Sequence, residues 1–228
     1  MPTRYFTPKL FGFLRDLEEN NDRTWFKANQ DLFEENIREP ALEFINDFAG
    51  PLQNISPHFS ADSRKSGGSL FRIQRDTRFS KDKTPYKTNT GMHFRHASAK
   101  DSHAPGFYLH LEPSGCFMGV GLWRPESKVA YAIRQRIDDD PAAWKKATRS
   151  KRFTDVYTLE GDSLIRPPKG YGDDHPLIED LKRKDFIASC PINDKQVLAK
   201  DFSVLVAQRF RAAKPLMAFL CAALNLQF

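Results

Sequence analysis

An α+β fold, a mostly antiparallel sheet flanked by N-terminal and C-terminal helices, is what three features of the sequence predict. Apolar residues recur at helical spacing through the first quarter of the chain. Four short alternating segments then follow one another between positions 70 and 123, separated by turn residues. Helical periodicity returns near Ser127, and the chain closes on an apolar helical pair split by Pro215. The 228 residues therefore divide into a helical part over 7–56, a sheet core over 69–124 and a mixed part over 126–228, expected to form one domain over 1–228.

Thr7-Pro8 opens the first helix, with Thr at the N-cap and Pro at the first helical position, where no N–H is needed. Leu10, Phe11, Phe13, Leu14 and Leu17 supply its apolar stripe, and Asn20-Asn21 stops it. A second helix is expected from Asp22, burying Trp25, Phe26, Phe33 and Ile37. Pro40 marks a break or fresh start before Leu42, Phe44, Ile45, Phe48 and Leu52 continue at helical spacing. SRKSGGS (63–69) is expected to be a flexible linker. Strands are expected at Leu70–Phe79, Thr88–His96, Gly106–Glu112 and Cys116–Trp123, arranged as a meander. Beyond them come helices from Ser127 and from Asp140-Pro141, an irregular strand or two around Phe153–Ile165, a loop RPPKGYGDDHP, a short helix Leu177–Lys182 and a strand near Phe186–Ile192.

Composition bounds the function class. With 40% hydrophobic residues and 19 Phe the chain can bury a sizeable core. The start, MPTRYFTPKLFGFL, has no apolar run long enough for a signal peptide, and nothing approaches the ~18–20 apolar residues of a membrane span, so no membrane association is expected. Cys116, Cys190 and Cys221 are odd in number and scattered, which points to a reducing, cytoplasmic setting with each thiol acting as a small buried hydrophobe.

The charge is concentrated. Positions 64–100 hold ten Lys or Arg against two acids, Asp76 and Asp82, whereas the whole chain nets only +6, so the remainder is slightly acidic. Clustered cations repel one another unless an anion occupies the cluster. Within the expected strand, Arg72, Gln74, Asp76 and Arg78 share one face, and Asp76 stands between two guanidinium forks suited to a phosphate or carboxylate. Arg75 is the odd member of the other, apolar face. Ser80, Asp82, Thr84 and Pro85 then build a turn that presents Lys81, Lys83, Tyr86 and Lys87. A solvated hairpin whose lysines deter edge pairing explains the same residues without a ligand.

Several stretches resemble a known family. FRIQRDTRFSKDKTPYKTNTG (71–91) resembles the signature of the domain of unknown function 2461 family, conserved hypothetical proteins of bacteria and fungi. FLRDLEENNDRTWFKANQDLFEE, GFYLHLEP, GLWRP, RPPKGYGDDHP and LKRKDF resemble its further motifs in the same order, over nearly the whole chain. Gln74 stands where an aromatic is usual, and Cys116-Phe117 varies a permissive strand. The resemblance implies a compact α+β domain and brings no activity, cofactor or catalytic residue with it.

Other constellations are weaker. His93 and His96, three apart in a strand, face opposite sides; His110 falls on the face of Tyr108 and Glu112; His58 lies in the linker and His103 in a loop. No spacing matches a metal site; Asp173-Asp174-His175 with Glu112 is a conceivable hard-cation set, and a cap before Pro176 accounts for it more simply. Ser66-Gly67-Gly68-Ser69 offers backbone N–H groups to an anion if it is not merely a linker, and Arg124 beside a helix start is either anion-directed or a turn cap. The expected function is a basic pocket of Arg72, Arg75, Arg78, Lys81, Lys83, Tyr86 and Lys87, taking an anionic small molecule or nucleotide. If chemistry occurs there, Asp76 or Tyr86 is the expected proton-transfer group. A nucleic-acid-binding module, with Phe71, Phe79, Tyr86 and Phe94 stacking on bases, is the alternative, and a protein-interaction domain the second alternative. No cofactor is indicated.

Overall fold

Pro8 occupies the first turn of α1 (Pro8–Glu19), whose Leu10, Phe11, Phe13, Leu14 and Leu17 are buried. Thr7 stands extended at the N-cap, its carbonyl accepting the Leu10 N–H at 3.0 Å while its side chain makes no cap bond, so the fixed φ of proline sets this start. Asp22 is the stronger cap: its carboxylate accepts from the N–H groups of Thr24 at 2.7 Å and Trp25 at 2.9 Å to begin α2 (Arg23–Ala28). Then α3 (Gln30–Phe33) runs through a π-helical turn (Glu34–Arg38) into α4 (Glu39–Gln53). Pro40 does not break the chain. The turn before it widens, the Glu39 N–H bonding the Glu34 carbonyl five residues back, and the helix accommodates a proline that an unbroken α-helix would not.

The structure, a computed structural model, describes residues 3–98 and 104–228; Lys100 and His103 lie outside the described residues. Its sheet has the order β1-β2-β3-β4-β6-β5 and is antiparallel throughout. The strands are β1 (Phe59–Ser60), β2 (Thr90–His96), β3 (Gly106–Leu111), β4 (Phe117–Leu122), β5 (Thr158–Glu160) and β6 (Phe186–Pro191). Three of the four expected meander strands are thus present within two residues of their expected ends.

Leu70–Phe79 is not a strand. Only its first residues pair with the sheet edge, the Phe71 N–H bonding Gly91 O at 2.9 Å and the His93 N–H bonding Ser69 O at 2.8 Å. Beyond Gly91 the segment overruns the start of β2 and pairs with its own return limb, Arg75 N–H to Pro85 O and Lys87 N–H to Ile73 O. Pro85 has no N–H to give, and the Asp82 side chain takes the Thr84 amide, so a regular ladder cannot form. Nor is 63–69 a loose linker. Ser69 N–H bonds Asp62 O, the Asp62 N–H bonds Ser69 Oγ, and Arg95 reaches Gly67 O, which closes a tight turn.

One sheet face carries Met92, Phe94, Phe107, Leu109, Leu111, Met118, Val120, Leu122, Phe186 and Ala188, all buried. Phe48 of α4 packs on Phe94, and both pack on Phe210 of α10 (Phe202–Ala212). The C-terminal part adds α5 (Ser127–Asp139), α6 (Pro141–Arg149), α7 (Lys151–Thr154), α8 (Ile178–Leu181), α9 (Asp194–Val197) and α11 (Lys214–Ala223). Of the expected strands at 153–165 only β5 forms, because Phe153 belongs to α7. The helix expected from Leu177 starts at Ile178, with His175 Nδ1 accepting the Leu177 N–H. All three cysteines are free and buried, and burial pushes the Cys116 thiol up to about 11 and Cys221 to about 12. Among the described residues no helix is long and apolar enough to cross a membrane.

Candidate functional site

The basic run folds into an irregular hairpin aimed by the first helices. Ile73 is its buried anchor. Asp82 accepts the Thr84 N–H at 2.9 Å, and the Arg75 guanidinium bonds both Asp82 and the Thr84 hydroxyl. The Thr84 amide first and Arg75 second hold the Asp82 carboxyl down at about 2. At the hairpin's base, Asn21 brackets Tyr86, its amide donating to Tyr86 O at 3.0 Å and its oxygen accepting the Tyr86 N–H at 3.0 Å. The Tyr86 ring lies flat on Phe26, centroids 4.1 Å apart.

Arg75, Tyr86 and Lys87 line one cleft of about 360 Å³, with Glu18, Asn21, Asp82, Thr84, Thr88 and Asn89. The other expected residues point elsewhere. Arg78 turns to Asp76 as a two-pronged fork, Nε to Oδ1 at 2.9 Å and Nη2 to Oδ2 at 2.6 Å. That fork holds the Asp76 carboxyl at about 2, with Arg72 contributing least. Asp76 is thus the partner of Arg78 rather than a bridge between two arginines, and so acidic a group is a poor base at neutral pH. Lys83 donates to Thr77 O at 2.8 Å, and Lys81 is exposed without an ion pair among the described residues. A larger depression of about 500 Å³, at Ser114 and Ile192–Lys195, gathers none of these residues.

Lys87 and Arg72 differ from the rest. Lys87 is half-buried over the Phe71 ring, its ammonium 5.3 Å from the centroid. Burial first, and the neighbouring charge of Arg72 second, push it below the usual lysine range. Neither has a carboxylate within ion-pair distance among the described residues, whereas Arg75 and Arg78 each have one.

Beside the cleft, the face of the sheet turned away from the helices carries a polar row that the sequence brought into line without disclosing its bonding. Tyr108, His110 and Glu112 alternate along β3 and its exit. The Tyr108 hydroxyl lies 3.0 Å from His110 Nδ1, and His110 Nε2 lies 3.1 Å from Glu112 Oε2. Thr88, from the cleft wall, donates to Glu112 Oε1 at 3.5 Å. His110 is stacked on Phe117, centroids 4.6 Å apart, and the Phe71 ring stands 5.9 Å from Tyr108. Burial chiefly, and Glu112 secondarily, push the Tyr108 phenol up to about 12. His93, paired with Tyr108 across the strands, is driven down to about 4 by burial and is neutral.

Glu112 is committed to this row and His175 to Asp138 on α5, so the conceivable cation set is not brought together; among the described residues no group of three ligand-type side chains forms. Arg124 sits in the left-handed region, its N–H bonded to buried Asp185 at 2.6 Å and its guanidinium 4.6 Å from the Trp123 ring centroid, so its backbone secures the turn. No curated protein matches the chain. The family described as "Conserved hypothetical protein (DUF2461)" matches residues 9–219, a span that starts in α1, ends in α11 and includes both the hairpin cleft and the Tyr108 row, and the chain belongs to that family.

Proposed function

We propose that this protein binds a small phosphate- or carboxylate-bearing ligand at the hairpin cleft, with Lys87 on its wall and the neighbouring Arg72, which does not itself line the cleft, receiving its charge, and Arg75, Thr84 and Tyr86 shaping the wall. The observation that carries this is the adjacency of two cations, one of them half-buried and neither with an ion-paired carboxylate among the described residues, whereas the Asp82 carboxylate in the same lining is taken by Arg75. Such a pair is unfavourable in the empty protein and is relieved by an anion. A cleft of this volume suits a small molecule. Calorimetric titration with inorganic phosphate tests it. Lys87→Gln with Arg72→Gln should weaken binding about tenfold or more, the order expected for charge-assisted bonds. Equal phosphate affinity in wild type and the double variant would remove this site from the protein's function.

Phe79 favours a second reading, single-stranded nucleic acid. It is 95% exposed at the hairpin tip, with the Arg78 guanidinium 5.9 Å from its ring and Lys81 and Lys83 nearby. Against it, Phe94 is fully buried and Tyr86 is stacked on Phe26, so two of the four expected stacking platforms are occupied. Oligonucleotide affinity that falls steeply with salt and drops with Phe79→Ala would favour this reading over the first; no binding at ~0.1 M salt would eliminate it.

A further inference from the structure

We propose that Tyr108, His110 and Glu112 form a proton relay serving the anion cleft, with Tyr108 Oη as the reacting atom, His110 as its base and Glu112 as the residue that positions the base. This rests on the anion site proposed above and adds a substrate class: an anion that carries a protic group within reach of a phenol.

The order of groups is what distinguishes this row from an ordinary polar ladder. A carboxylate only accepts hydrogen bonds, so the His110 nitrogen facing Glu112, Nε2, carries the proton. Nδ1 is then an acceptor, and the Tyr108 hydroxyl donates to it. Carboxylate, imidazole and hydroxyl are thereby joined in the sequence in which a hydroxyl is activated by a base that a third group orients. The imidazole cannot turn, since both nitrogens are engaged and its face is stacked on Phe117. A ligand group X–H loses its proton to Tyr108 Oη as the phenolic proton passes to His110 Nδ1, and Glu112 stabilises the imidazolium so formed. The reverse transfer makes Tyr108 an acid.

Three neighbours fit this use. Gly91 lies beneath the hydroxyl, where an added Cβ would come within 2.6 Å of Tyr108 Oη and 3.2 Å of the Phe71 ring. His93 is neutral and adds no competing charge. Phe71 borders both systems, its ring centroid 5.3 Å from the Lys87 ammonium and 5.9 Å from the Tyr108 ring centroid, so a ligand seated on Lys87 reaches the relay by extending past this one ring. Burial makes the free phenolate scarce, so any reactivity of Tyr108 at neutral pH has to come through His110.

Sulfonylation of the phenol tests this without knowledge of the natural substrate. With neutral phenylmethanesulfonyl fluoride, Tyr108 Oη would form the S–O bond, fluoride would leave, and the phenolic proton would pass to His110 Nδ1. Peptide mass spectrometry should find Tyr108 modified faster than Tyr131, which is 52% exposed and has no hydrogen-bonded base among the described residues. His110→Asn and Glu112→Gln should each slow Tyr108 modification about a hundredfold, within the range of general-base effects. Glu112→Gln is isosteric at a half-exposed position and keeps the test open should His110→Asn fail to fold. In that variant the ¹⁵N resonances of His110 should also leave the Nε2–H tautomer pattern, which loss of a merely structural contact elsewhere would not produce. Tyr108 reacting no faster than Tyr131, or equally fast in wild type and Glu112→Gln, would overturn the relay. The negatively charged 4-(fluorosulfonyl)benzoate should react faster still and be competed by phosphate. If the neutral reagent modifies Tyr108 rapidly while the charged one has no advantage and phosphate does not compete, it is the anion site that falls.

Discussion

Asp76 shows how one residue's role is decided by which of two neighbouring arginines its carboxylate bonds. Alternation set it between Arg72 and Arg78, yet only Arg78 grips it, in the open. An exposed pair of this kind contributes little to stability, so Asp76→Asn should leave the melting temperature nearly unchanged at neutral pH. Because the folded carboxyl is lowered, its small contribution is present above the ordinary carboxylate range near ~4 and disappears as pH falls toward 2. Wild type and variant should therefore differ least at the acid end. Freed from its partner, Arg78 becomes available, and phosphate binding should be preserved or strengthened; a variant that loses both stability and phosphate binding would make Asp76 scaffold only. At Tyr108, His110 and Glu112 the same distinction runs the other way. The period of two put them on one face, but nothing in the sequence said that their side chains would bond end to end.

The hairpin of 71–87 is the element on which the proposed site depends, and its position comes from outside itself. Asn21 secures Tyr86 through both backbone groups, and Phe26 receives the ring. Asn21→Ala removes two hydrogen bonds at a partly buried point and should cost about 1–3 kcal/mol. Amide exchange at Arg75 and Lys87, the hairpin's own cross-links, should accelerate, and phosphate affinity should fall although neither Lys87 nor Arg72 has changed. Unchanged exchange at those amides would mean that the hairpin holds itself. The cation density that singled out this element was legible from the sequence. Its irregularity was not, because alternation signals a strand only where a partner strand exists, and β2 begins at Thr90, too late to pair beyond Phe71.

For the whole molecule, the decisive contact is between chain ends. Phe44 and Phe48 of α4 meet Phe202 and Phe210 of α10 above Phe94 of the sheet. A core shared in this way should make the helical N-terminal part, the sheet and the C-terminal part unfold together. Phe48→Ala should cost about 3–5 kcal/mol, and tryptophan fluorescence and far-UV circular dichroism should report one coincident transition; separate transitions would divide the chain into two domains. By itself the sequence determined the α+β class, the longer helices, most strand positions, the burial of the cysteines and the location of excess charge. All of these follow from local periodicity, turn chemistry and composition, which act over a few residues. Only the tertiary structure decided that Arg75 and Arg78 are internally neutralised while Arg72 and Lys87 are not, and that a phenol, an imidazole and a carboxylate form a continuous row beside them. Ion pairing and hydrogen bonding between side chains depend on distances of a few ångströms, and those are set by how α1, α2, the hairpin and β3 pack together rather than by any one of them alone.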